Sequence, residues 1–81
     1  MKIVMKYKNR KLYDTEMSRY ISVAELAKLP LDSFKVEKHL TGEDVTTDTL
    51  LGALTSENVG SEIKVQVMKH CISELQNGVE F

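Results

Sequence analysis

An α+β fold is what this sequence predicts, and three observations carry it. Short runs of alternating apolar and polar residues crowd positions 1–21, the period of half-buried strands. Helical spacing takes over in the second half, where apolar residues recur every three or four positions. Turn and cap residues separate these segments at short intervals, with no repeat, linker or low-complexity stretch between them. The 81-residue chain is 42 % hydrophobic and 28 % charged, the composition of one small globular domain spanning 1–81. The expected order is β-β-β-α-β-α-α. A small N-terminal antiparallel β-meander is followed by a short helix, a further strand and two C-terminal helices.

The elements follow from local chemistry. Ile3, Met5 and Tyr7 alternate with Val4, Lys6 and Lys8, which reads as a strand with Lys6 and Lys8 on one face. Lys8-Asn9-Arg10 supplies a turn, with the left-handed conformation assigned to Asn9 because asparagine tolerates it. Lys11-Leu12-Tyr13 and Arg19-Tyr20-Ile21 are the next strands, joined by a polar turn in which Asp14 accepts a backbone N–H two residues on. Most of Tyr7, Tyr13 and Tyr20 are expected to pack between the meander and a helix rather than to stack on the bases of a single strand. Ser22 and Glu25 form a capping box, and Pro30 stops the short helix that follows. Phe34 and Val36 point inward from the strand over 33–38. Gly42 takes a positive φ in the next turn. Thr46 or Thr47 caps a helix carrying Asp48 in its first turn and an apolar stripe of Leu50, Leu51 and Leu54. The last helix opens at Ser61 and Glu62 and ends at Gly78. It bears two adjoining apolar rows, one of Ile63, Val67 and Cys71 and one of Met68, Ile72 and Leu75. These rows serve either the protein's own core or the seam of a homodimer.

Several function classes fall away. No zinc arrangement is expected, because His70 and Cys71 are adjacent and point about 100° apart on a helix, while His39 has no His or Cys near it in sequence. The chain's one cysteine sits on an apolar row, as a buried small hydrophobe rather than a nucleophile. Glu43 and Asp44 lack the alternating oxygen ligands of a calcium loop, and the scattered glycines make no phosphate loop. No apolar run approaches the roughly 20 residues of a membrane helix, and the N-terminus becomes charged too soon for a signal peptide. A cytoplasmic, cofactor-free, non-enzymatic protein is expected.

The net charge of −1 hides an asymmetry. Lys2, Lys6, Lys8, Arg10, Lys11 and Arg19 stand against only Asp14 and Glu16 in residues 1–20, a local balance of +4. The remainder carries −5. A basic head on an acidic body points to an anionic partner for the head.

The string from Lys6 to Ile21 is distinctive. Tyr7, Asn9, Arg10, Lys11, Leu12, Tyr13, Asp14, Thr15, Ser18 and Tyr20 fill a Tyr-x-Asn-Arg-basic-Leu-Tyr-Asp-Thr run followed by a Ser and a Tyr before a capped helix. This segment resembles the opening of the DNA-binding domain of polyhydroxyalkanoate (polyhydroxybutyrate) accumulation regulators. The likeness continues through Ala24-Glu25-Leu26-Ala27, Phe34-x-Val36 and the segment from Thr41 to Thr46, covering about residues 6–55. The resemblance implies a bacterial-type transcriptional regulator, a repressor, that binds double-stranded promoter DNA. The long region that follows this domain in the family has no counterpart before Phe81, so polymer-granule association is not carried over.

Lys6, Lys8, Asn9, Arg10, Lys11 and Arg19 are the candidate DNA contacts. Arg10 and Lys11 project from a hairpin tip toward phosphates, and Asn9 or Arg10 supplies base readout. Ile63, Val67, Met68, Cys71, Ile72 and Leu75 are the candidate dimer interface, since ribbon readers of DNA usually act as dimers. Arg10 is either free or paired with Asp14. The alternative reading is a protein-binding adaptor or inhibitor that mimics or partners a regulator of this family.

Overall fold

In the computed structural model, residues 1–77 are described. The chain order is β1 (Lys2–Lys6), β2 (Leu12–Asp14), β3 (Arg19–Ile21), α1 (Val23–Ala27), β4 (Phe34–Lys38), α2 (Thr46–Leu51), a 3₁₀ helix (Gly52–Thr55) and α3 (Ser61–Asn77). This is the predicted α+β order with a 3₁₀ turn added. The helix end expected at Gly78 lies outside the described residues.

The strands form one four-stranded sheet in the order β3-β2-β1-β4. β1, β2 and β3 are the antiparallel meander, with Lys6 opposite Leu12 and Leu12 opposite Ile21. β4 joins the free side of β1 in parallel, placing Val4 beside Val36 and Lys6 beside Lys38. Period-2 alternation then sorts the sheet into two faces. Val4, Leu12, Ile21, Phe34 and Val36 are buried on one face, together with Leu26 of α1 and Leu50 of α2. Burying each leucine contributes on the order of 1.5–3 kcal/mol. Ile3, Met5, Tyr13, Tyr20, Lys35 and Glu37 occupy the other face, where none is fully buried. Of the two alternating sets in β1, the one that contains Val4 therefore faces the core.

The tyrosines do not pack between sheet and helix as expected. Tyr13 and Tyr20 meet edge-on on the open face at 5.3 Å, and Tyr7 lies tilted on His39 at 4.5 Å. The cause is register: Tyr13 and Tyr20 are directly paired across β2 and β3, opposite in facing to the buried Leu12 and Ile21.

α1 is capped as the sequence suggests, with the Glu25 N–H donating to Ser22 Oγ at 3.1 Å. The Glu25 carboxylate, however, accepts from Arg19 at 3.3 Å. Thr46 is not a cap but the first residue of α2, whose N-cap is Val45. The Thr46 hydroxyl instead accepts from the Val36 N–H at 2.8 Å and donates to Asp44 Oδ1 at 2.6 Å. The outer edge of β4 is thereby closed by the chain that follows it, with Lys38 N–H bonding the Glu43 carbonyl. In α2, Leu50 is buried, whereas Leu51 turns outward; in the 3₁₀ helix Ala53 is buried and Leu54 packs, half-buried, against the core.

Candidate nucleic-acid interface

The β1–β2 connection is a three-residue hairpin loop. Tyr7 N–H bonds the Lys11 carbonyl at 3.0 Å, and Arg10 N–H bonds the Tyr7 carbonyl at 2.9 Å. In such a loop the third residue takes the left-handed conformation, a place normally held by glycine. Here it is Arg10, at φ 65°. Asn9 instead uses its Oδ1 to accept the Lys11 N–H at 3.1 Å. The left-handed residue expected at Asn9 is therefore Arg10, because loop geometry and not side-chain tolerance sets its place. Lys8 lies in this turn, past the end of β1, so it does not share a strand face with Lys6.

Lys8, Asn9, Arg10 and Lys11 are all exposed at this tip. Lys11 reaches over the Tyr20 ring, its Nζ 5.5 Å from the centroid, a placement that holds the side chain without neutralising its charge. The parallel pairing of β4 brings in a residue that sequence reasoning missed: Lys38, beside Lys6 in the register. His39 N–H bonds the Lys6 carbonyl at 2.9 Å, fixing the 39–42 turn next to the hairpin. Lys6, Lys8, Arg10, Lys38 and Leu40 line one cleft of about 620 Å³, with the Tyr7 and His39 rings in its wall and Asp48 as its carboxylate. His39 Nδ1 is enclosed and has no hydrogen-bond partner among the described residues.

The ion pairs lie elsewhere. Asp14 does not hold Arg10 or Arg19: Lys2 Nζ donates to its Oδ2 at 2.9 Å, and the N–H groups of Glu16 and Met17 both donate to its Oδ1 at 3.0 Å. Burial alone would raise the Asp14 pKa, but the Lys2 hydrogen bond, the two backbone donors and the Lys2 charge together hold it below the usual carboxylate range. Arg19 pairs with Glu25, and Lys35 with Glu37. Among the described residues, the cations with no salt-bridge partner include Lys6, Lys8, Arg10, Lys11 and Lys38, all gathered at one end of the sheet. Arg19, opposite Asp14 rather than Leu12, sits two positions back from that end on the outer strand.

α3 separates the two apolar rows. Val67 and Cys71 are buried in the protein's own core, and Ile63 packs against it. Met68, Ile72 and Leu75 face outward, 47 %, 48 % and 58 % exposed, and Val65 joins them at 47 %. Burial pushes the Cys71 thiol pKa up, helped by the nearby Glu74. No helix among the described residues is long and apolar enough to cross a membrane.

Known proteins share this sequence pattern. The PHB/PHA accumulation regulator DNA-binding domain matches residues 3–62. An uncharacterised protein in the phbA 5′ region of Thiocystis violacea is 44 % identical over 63 residues, covering 75 % of this chain and 46 % of that protein. An uncharacterised protein of Allochromatium vinosum is 38 % identical over 63 residues, covering 75 % of this chain and 41 % of its own length. The chain thus spans less than half the length of the curated relatives it matches. No solved structure matches it. The hairpin, its cationic sheet end and the capped α1 all lie within the matched segment, and the chain belongs to the PHB/PHA accumulation regulator DNA-binding domain family, a non-enzymatic kind of domain.

Proposed function

We propose that this chain is a transcriptional regulator of the repressor kind that binds double-stranded DNA through the sheet end formed by the β1–β2 hairpin and the turn after β4. The observation that carries the reading is the convergence of Lys6, Lys8, Arg10, Lys11 and Lys38, none in a salt bridge among the described residues, in a family of DNA-binding domains. Such cations on a narrow ribbon tip suit phosphates on either side of a groove about 12 Å wide. Arg10 is the base-reading candidate, since a guanidinium pairs bidentately with guanine. Asn9 has committed its carbonyl to the turn and keeps its amide for a phosphate or base. Arg19 is the weakest of the candidates, because Glu25 already neutralises it.

The reading extends to a homodimer joined along α3. Val65, Met68, Ile72 and Leu75 recur at three- and four-residue intervals, the seam spacing of paired helices, and all face away from the core. The exposed stripe is also what a protein-binding adaptor would use.

Gel-shift titration on mixed-sequence duplex DNA tests the DNA reading. The wild type retains the duplex at low salt, and the double variant Arg10→Gln, Lys11→Gln binds at least about tenfold more weakly. Equal retention by the two proteins would remove the hairpin tip from the interface. A monomeric wild type that retains no DNA and captures one stoichiometric protein would favour the adaptor.

A further inference from the structure

Leu40 stands where neither backbone preference nor hydration favours a leucine. Its φ is 75°, and Thr41 N–H bonds the His39 carbonyl at 2.8 Å, which centres a positive-φ γ-turn on it, a rare and strained conformation. Its side chain is 80 % exposed. The turn is clamped from both sides: Gly42 N–H bonds the Lys38 carbonyl at 2.9 Å, Lys38 N–H bonds the Glu43 carbonyl at 2.8 Å, and His39 N–H bonds the Lys6 carbonyl at 2.9 Å. Strain held in place by surrounding bonds collects at sites of function. Arg10, the other non-glycine residue with a positive φ at this end of the sheet, lines the same cleft.

The surroundings select the partner. Leu40 shares its cleft with Lys6, Lys8, Arg10 and Lys38, against a single carboxylate among the described residues, Asp48. A second copy docking through this turn would set like charges against one another. A ligand that matches must offer anions at the rim and an apolar surface between them. Duplex DNA does so in its major groove, where thymine C5-methyl groups lie between the phosphate rails.

We propose that Leu40 packs on a thymine C5-methyl group in the major groove while Lys38 and the hairpin cations hold the flanking phosphates. This rests on the DNA-binding reading above and adds to it a base-contacting, specificity-determining residue outside the hairpin.

The test takes the best-binding duplex selected by the wild type from a random-sequence pool, made once with thymine and once with deoxyuridine throughout. Wild type and Leu40→Asn are titrated against both by fluorescence anisotropy. Asparagine is several-fold enriched among non-glycine residues at positive φ, so the turn is kept; Leu40→Gly repeats the comparison should that variant fold poorly. Loss of the thymine methyl weakens the wild type by about fourfold for each contacted group. Leu40→Asn binds the thymine duplex at least that much more weakly, does not distinguish the two duplexes, and keeps the wild-type salt slope. A variant with wild-type affinity, or with the wild-type ratio between duplexes, overturns the assignment. So does a variant that changes oligomeric state in sedimentation and leaves DNA affinity unchanged, which would make the turn a protein contact. A wild type that retains no duplex from the pool at any salt concentration fails the DNA reading itself, a result separable from the others.

Discussion

Asp14 and Arg10 show how single residues divide the labour of a small domain. Asp14 is 1 % exposed and saturated with donors from Lys2, Glu16 and Met17, so it ties the start of β1 to the β2–β3 turn. Replacing it with Asn leaves Lys2 without its counter-ion, and the expected loss is about 2–4 kcal/mol in urea denaturation. Its folded-state pKa is depressed, so this contribution is present above the unfolded value of about 4 and is lost as pH falls through the folded one. A wild-type stability that declines below about pH 4, with a smaller decline in Asp14→Asn, checks the sign. Arg10 is the reverse case, a strained residue at an exposed tip. Arg10→Gly relieves the left-handed backbone and is expected to gain about 1 kcal/mol while weakening DNA binding, as read by paired melting and titration. Asp14's turn bond to Glu16 is legible from the residue type, because an Asx side chain reaches two residues on. Its Lys2 partner is not, since that pair depends on sheet register. Arg10's conformation is hidden for a similar reason: loop length overrides the tolerance of the neighbouring Asn9.

Among the elements, α3 is the informative case. Its two apolar rows are equally helical in sequence, one at four-residue spacing and the other at four and then three. What separates them is where α2 and the 3₁₀ helix lie, a tertiary fact that periodicity does not encode. Val67→Ala, in the buried row, is expected to cost about 2 kcal/mol of folding stability by chemical denaturation. Ile72→Glu, in the outer row, should leave that stability within about 0.5 kcal/mol at a concentration where the chain is monomeric. The same variant should abolish self-association in sedimentation equilibrium, and a wild type that stays monomeric at high concentration would remove the proposed dimer. The meander, the capped α1, the inward pair Phe34 and Val36, and the start of α3 at Ser61 are all readable, because each rests on local spacing or a cap. The parallel docking of β4 on β1 is not, since no local signal names the partner of a strand.

Across the whole molecule, that one unread pairing decides the shape of the proposed interface. It carries Lys38 and Leu40 from the acidic body of the sequence to the basic hairpin. Charge arithmetic along the chain places the anion-binding cations in residues 1–20, whereas the folded chain adds Lys38 and commits Lys2 and Arg19 to Asp14 and Glu25. The proposed interface is therefore defined in space: DNA meets the sheet end, not the basic segment as a whole. Salt dependence of DNA affinity separates the two, measured by fluorescence anisotropy on one duplex for the wild type, Lys38→Gln and Arg19→Gln. The expected wild-type log–log slope is about −4 or steeper, reduced by about 0.9 in Lys38→Gln and unchanged in Arg19→Gln. A slope that falls for Arg19→Gln and holds for Lys38→Gln would place DNA on the basic segment and off the sheet end.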